Sequence, residues 1–491
     1  MWAGVQTRRA VALLRQPVLP TVVQMGIDPF PRPLKPGGYA DSCADLSFLL
    51  ASVGHRVVMP AKSGRGCPLS RWPAAGAQAV AAAAASAAEA GCDELALWVN
   101  AVGCNATASW SSGPGVELFV AQPPGVRVED KAETKARLAA AGLQQPSSVL
   151  VWDSIAEREE SAAFGFEYGT GCGSVDGVEA AADWIESSGP GFPVVCKPVC
   201  GRGSELVELV GDRAGLHRYA ATVREATQVV TAEQARLQQG AEALLRGDVV
   251  AALCDADIPA GTAATAERRL GRRTTFSPDH SWFRYPRYGG GFMVEERLTG
   301  PEITVTVVPA LLFERAAVTA AQQPAIGTRT AGGGAREVAD AIGPDFAAPG
   351  SAYVSLSPVL RNPSSAGGIM PYNGVVAVAV NSSAATEAEG LSPRMAAALV
   401  DAMRQCEVIG SAMGSTMPVR VDMRAATADE AEASFRFLPF DVNVKPNATY
   451  PGRTGREDQV SLMALAADAA PSRISFPALA SAIVDLAPRL H

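Results

Sequence analysis

The apolar run PVVCKP (193–198) ends in Lys197-Pro198. It stands directly ahead of Gly201-Arg202-Gly203-Ser204 and a second apolar run, ELVELV (205–210). A lysine fixed at the end of a strand is a compact positive charge that a phosphate oxygen can meet. Glycines in the turn that follows let backbone N–H groups approach the same anion. Gly201, Gly203 and Ser204 are therefore candidate anion contacts beside Lys197. The stretch is no Walker loop, because the lysine precedes the glycines, and it lacks the G-x-G-x-x-G spacing of a dinucleotide-binding turn. A second lysine, Lys131, opens EDKAETKARLAAAG (129–142), whose early acids, later bases and closing Gly142 predict a helix.

Acidic and amide side chains form a second group. VRVDM supplies Arg420 and Asp422, and FDVNV supplies Asp441 and Asn443. Alternate residues of one strand point to one face, so Asp441 and Asn443 share a side, and Asp422 on a neighbouring strand could complete a set of hard oxygen ligands for Mg²⁺. An exposed polar strand face explains Asp441 and Asn443 equally well when they are taken alone. In VEERLTGPE, Glu295 and Glu302 lie seven residues apart. Glu302 follows a tight Gly-Pro turn, where its carboxylate could accept from ribose hydroxyls, and the backbone from Glu296 to Leu298 could meet an adenine edge. Lys445 and Arg453 are candidates for holding a substrate carboxylate, and Arg361 lies on a loop that could border the same site.

These residues need elements to position them. At 491 residues the chain is long enough for about three domains of ordinary size. Residues 1–125 alternate strand-like runs (RVVMP, ELALWVNAV, VELFVA) with helical ones, the pattern of a parallel α/β layer. Residues 126–290 hold the Lys131 helix, the strand SSVLVW, the helix GVEAAADWIESSG and a hairpin made of the two runs around Lys197, followed by an insertion at about 213–290. Residues 291–491 are strand-rich, with a helix predicted over 392–410. Glycine and proline clusters at 326–350 and 362–374 mark two long loops.

Composition excludes several classes. The net charge of −8 argues against a general nucleic-acid or anionic-membrane surface, and the basic, aromatic stretch at 266–291 reads as a solvated loop. No stretch is long and apolar enough to span a membrane. Nine cysteines without a C-x-x-C pair read as a reduced, cytoplasmic chain, and four scattered histidines give no zinc pattern. Arg8, Arg9 and Arg15 without an acid in the first twenty residues leave a transit segment as the weaker alternative to a basic N-terminus.

Taken in order, "DK" at a helix start, VVCKP with its glycine turn, VEERLTGPEITV, VRVDM and DVNVKP resemble the ATP-grasp superfamily, in particular D-alanine–D-alanine ligase and related carboxylate–amine ligases. The resemblance covers about 131–212 and 291–455. It implies a multidomain α/β and α+β ATP-grasp fold, with an N-terminal parallel α/β domain, a central lid and a C-terminal domain carrying metal ligands. It implies ATP phosphates held by Lys131 and Lys197 under the 200–204 turn, adenine taken by Glu295 to Leu298, and ribose by Glu302. It further implies two Mg²⁺ ions on Asp422, Asp441 and Asn443, with Arg420 steadying a tetrahedral intermediate. The implied reaction joins a small carboxylate, such as an amino acid or its derivative, to an amine through an acyl phosphate, and the implied enzyme is often a homodimer. Asp441 departs from the family, which usually has glutamate there. Lys445 stands where dipeptide ligases have small residues. A phosphotransferase on the same scaffold and a nucleotide-binding regulatory protein without turnover are the alternatives.

Overall fold

The computed structural model describes residues 9–15, 38–58, 81, 83–100, 115–121, 131–152, 173–199, 207–224, 291–322, 351–361, 382–387, 391–444, 446–452, 460–469, 472 and 474–489. These residues form three sheets with flanking helices, a mixed α/β architecture. In the first sheet, β1 (Arg9–Arg15), β2 (Arg56–Val58), β3 (Glu94–Asn100) and β4 (Glu117–Ala121) are ordered β2-β1-β3-β4. Every pairing is parallel, as the alternation of strands and helices predicts. Parallel neighbours need crossovers; α1 (Gly38–Ser52) crosses from β1 to β2, and residues 83–89 are helical between β2 and β3.

The second sheet has five strands in the order β6-β5-β9-β7-β8. They are β5 (Ser148–Trp152), β6 (Gly173–Asp176), β7 (Val194–Pro198), β8 (Glu208–Val210) and β9 (Gly291–Glu296). β7 and β8 form the antiparallel hairpin expected around Lys197. β9 pairs with both β5 and β7, so a sequence-based boundary at 290/291 cuts through this sheet, and the junction with the third sheet falls between Glu296 and Glu302. One face, with Val149, Val151, Val194, Cys196, Phe292 and Val294, packs under α3 (Val178–Ser187) and a helix at 213–224. The opposite face carries Leu150, Trp152 and Met293 against Ala132 of α2 (Lys131–Ala140).

The third sheet runs β13-β12-β10-β14-β15, with β11 also paired to β10. Its strands are β10 (Glu302–Pro309), β11 (Tyr353–Ser355), β12 (Val359–Arg361), β13 (Ser382–Ala384), β14 (Val419–Ala425) and β15 (Phe437–Asn443). The helix α4 (Ala310–Gln322), which follows β10 without a break, is not legible as a separate element in the strand-rich reading of this region. The long helix α5 (Pro393–Met413) starts with textual clarity: the Ser392 hydroxyl accepts from Met395 N–H, Pro393 occupies the first turn, and Gly414 ends it at φ 60°. Leu399, Cys406 and Ile409 on α5 cover Ile303, Val305 and Val307 of β10 and Val419, Val421 and Met423 of β14. α6 (Leu462–Asp468) and α7 (Phe476–Asp485) share a second core with Leu49 and Leu50 of α1, Trp98 of β3, and Val308 and Val359 of the third sheet. Among the described residues no helix is long and apolar enough to cross a membrane.

Candidate functional site

Alternation on β14 decides where charge goes. Val419, Val421, Met423 and Ala425 are buried toward α5, while Arg420, Asp422 and Arg424 are half-buried on the other face. Registers extend that face into ranks across neighbouring strands. Glu302 of β10 stands opposite Arg424 and Arg361, Thr304 stands opposite Asp422, and Thr306 stands opposite Arg420.

On β15 a β-bulge sets the phase. Asp422 pairs with Asp441, but Met423 pairs with Pro439, so Phe440 is left between them without a partner on β14. Phe437 belongs to the α5 core, and strict alternation from it would turn Asp441 toward that core as well. The extra residue shifts the alternation by one, so Asp441 and Asn443 share the polar face with Asp422 and Arg420. A bulge is invisible to a period-two reading, which sees only that Asp441 and Asn443 share a side.

Hydrogen bonds hold this face. The Thr304 hydroxyl donates to Asp422 Oδ1 at 2.7 Å, and Arg420 Nη2 donates to Asp422 Oδ2 at 2.9 Å. Arg424 Nη2 donates to Glu302 Oε2 at 2.6 Å, and Arg361 Nε lies 3.9 Å from Glu302 Oε1. Glu302, expected beside a ribose, is thus flanked by two guanidinium groups, and Arg361, expected on a loop, is the last residue of β12. Neither Thr304 nor Arg424 stands out in the sequence, since each is an ordinary residue of an alternating strand.

Thr306 is buried at 0% exposure, and among the described residues its hydroxyl has no hydrogen-bond partner. An unsatisfied buried hydroxyl costs stability. Thr306→Val, which keeps the shape, is expected to raise stability by about 1 kcal/mol, read as a higher midpoint in denaturant unfolding.

The facing group comes from the second sheet. Lys197 Nζ donates to Glu295 Oε1 at 2.8 Å, and Lys135 Nζ lies 2.6 Å from Glu295 Oε2. All three side chains are nearly inaccessible, at 4% to 6% exposure. Lys197 Nζ also donates to the carbonyl of Phe440 at 2.8 Å. The lysine therefore spans from the second sheet to the bulge of the third, one residue before Asp441. Burial alone would raise the Glu295 pKa, but the adjacent ammonium groups of Lys135 and Lys197 outweigh it and hold the carboxyl below its usual value. A depressed carboxyl stabilises the native state above the unfolded pKa, and that contribution is lost as the solution is acidified through the folded pKa.

Lys131, at the head of α2, is half-buried, and its backbone N–H donates to Val199 O at 3.0 Å, which seats the helix start beside the end of β7. Lys135, one helical turn further, is the site residue that the sequence reading passes over. The i, i+4 spacing from Lys131 was its only available signal. Glu296 is bound to β5's lead-in: its N–H donates to Ser147 O at 2.8 Å, and its Oε2 accepts from Ser147 N–H at 3.0 Å. Leu298 is buried. Gly201, Gly203, Ser204, Lys445 and Arg453 lie outside the described residues.

The turn into Glu302 is sterically set. A Cβ on Gly300 would sit 2.2 Å from Thr427 O and 2.6 Å from Ala425 Cβ. Gly300 N–H donates to Ala425 O, and Ala425 N–H donates to Pro301 O. Gly300→Ala is expected to cost about 3 kcal/mol, through overpacking against backbone that cannot yield. Unfolding in denaturant measures it.

The donor set of Asp422, Asp441 and Asn443 suits a hard divalent cation such as Mg²⁺: two carboxylates and an amide oxygen on adjacent strands. Each Asp422 oxygen accepts one hydrogen bond and keeps a further lone pair.

Neither a protein-family model nor a curated protein sequence matches the chain. Among solved structures it is similar to D-alanine–D-alanine ligase from Bacillus anthracis complexed with ATP, at 12% identity, over 98% of this chain and 97% of that one, with a TM-score of 0.43. It is similar to VanG D-Ala:D-Ser ligase from Enterococcus faecalis at 10% identity, over 98% and 99% of the two chains, with a TM-score of 0.43. It is also similar to L-amino acid ligase from Bacillus licheniformis at 13% identity, over 92% and 71%, with a TM-score of 0.39.

Proposed function

We propose that the protein is an ATP-dependent carboxylate–amine ligase of the ATP-grasp type, forming an amide through an acyl phosphate. The observation that carries this reading is the bond from Lys197 to the carbonyl of Phe440. It sets the lysines of β7 and α2 against a carboxylate, amide and arginine face on the third sheet. Lysines opposite paired carboxylates suit a substrate that is itself a polyanion carrying a divalent cation.

In this reading Lys131 and Lys197 bind nucleotide phosphate oxygens and neutralise charge that spreads as the γ-phosphoryl passes to a substrate carboxylate. Asp422, Asp441 and Asn443 would hold Mg²⁺, which supplies charge neutralisation on the phosphate oxygens when bound. An amine then attacks the acyl carbon, and phosphate leaves with the electron pair of the broken acyl–oxygen bond. Arg420, anchored to Asp422 on the polar face, would stabilise the developing oxyanion with its guanidinium charge. Glu302 orients the ribose while its two arginine neighbours hold its rotamer. Lys445 and Arg453, close after Asn443 in the chain, are proposed to take the carboxylate of an amino acid or derivative.

The test is release of ADP and phosphate from Mg-ATP with pairwise mixtures of amino acids and small carboxylates. Release that requires both an acid and an amine supports the ligase. ADP with a stable phosphorylated product and no amine requirement replaces it with a phosphotransferase. Tight ATP binding with no ADP from any mixture replaces it with a nucleotide-binding protein.

A further inference from the structure

We propose that Glu295 is the positioning residue for the phosphate-binding lysines, with Lys135 as its second tether, rather than a contact for the nucleotide base. The proposal rests on the ligase reading for the identity of the anion, and on the geometry for everything else. Both carboxylate oxygens of Glu295 are occupied, one by each ammonium group, at 2.8 Å and 2.6 Å. A carboxylate so engaged, and so fully buried, has little left to offer an adenine or a ribose.

Lys197 ends a strand, but its four-carbon stem has several rotamers, and a strand alone does not fix its ammonium group. Two acceptors on different sheets, Glu295 and the carbonyl of Phe440, fix it. Lys135 fixes Glu295 in turn, and it is carried on α2, the helix whose first residue is Lys131. The Lys135–Glu295 pair thereby ties α2 to β9, and places Lys131 and Lys197 in one frame. The charge count also matters. Two ammonium groups and one carboxylate leave a single positive charge in a dry site, enough to attract an anion without two unscreened lysines repelling each other.

The experiment is equilibrium binding of Mg-ATP and of adenosine to the full-length protein and its variants, each with its thermal midpoint. In Glu295→Gln the neutral amide cannot hold two ammonium groups. ATP affinity is expected to fall about thirtyfold or more, the scale for breaking one side of a buried charge pair. Adenosine affinity is expected to stay at the wild-type value. The double variant Lys135→Met with Glu295→Gln restores the net charge of the trio, and is expected to bind ATP more tightly than Glu295→Gln alone. It also keeps the test decisive where the single variant is destabilised. Equal losses for ATP and adenosine in Glu295→Gln would assign the carboxylate to the base or sugar and overturn the proposal. A double variant that binds ATP no more tightly than Glu295→Gln alone overturns it too, as does a Glu295→Gln protein that binds ATP like wild type. Failure of the wild-type protein to bind Mg-ATP overturns the ligase reading instead.

Discussion

Replacing Lys197 by methionine is expected to lower ATP-dependent phosphate release at least about a thousandfold, to the limit of detection. Preorganised charge aimed at a transferring group contributes factors of about 100 to 1,000 per donor, and this lysine also bridges the second and third sheets. Two bonds disappear together, one to Glu295 and one to the carbonyl of Phe440. The second matters because Phe440 is the bulge residue that turns Asp441 toward the polar face. Loss of the lysine therefore removes the proposed phosphate contact and loosens the strand that presents the carboxylate. Stability is expected to fall by about 3 kcal/mol, since one buried ion-pair partner is removed while Glu295 and Lys135 remain. Initial rates and denaturant unfolding of the same preparation separate the two effects. Wild-type turnover in this variant would remove Lys197 from the site altogether.

Much of this arrangement is legible in the sequence because it depends on local pattern. The parallel first layer follows from strand–helix alternation, the β7–β8 hairpin from two apolar runs around glycines, and α5 from the helical run expected over 392–410. Asp422 and Arg420 share a face because β14 alternates cleanly. What escapes the sequence is long-range. Lys135 looks like any surface lysine of an amphipathic helix until β9, 160 residues later in the chain, puts Glu295 against it. Thr304 and Arg424 acquire meaning only from register. The junction between the second and third sheets is not legible because β9 is followed closely by β10 yet hydrogen-bonds to the other sheet, across a link of five residues, 297–301. Backbone bonding, not hydrophobic pattern, separates the two strands.

Asp422→Asn is the complementary experiment, on the opposite wall. Asparagine keeps the volume and one oxygen, so the Thr304 hydroxyl retains an acceptor. The carboxylate charge is lost, and with it the charge-assisted bond from Arg420 Nη2. Two consequences are expected together. Phosphate release should fall about a hundredfold or more, and its Mg²⁺ dependence should shift to higher concentration, because a neutral amide is a poorer ligand for a hard cation. Stability should change by only about 1 kcal/mol, since Arg420 is partly solvated and finds water in place of its acceptor. The Mg²⁺ titration is the informative readout. Thr304→Val, which removes the hydroxyl that steadies Asp422 but leaves the carboxylate, should lower the rate without moving the Mg²⁺ midpoint nearly as far. A midpoint that stays at its wild-type value in Asp422→Asn would mean that the carboxylate serves to orient Arg420 rather than to hold a cation, and the metal ligands would then have to be sought on Asp441, Asn443 and their neighbours alone.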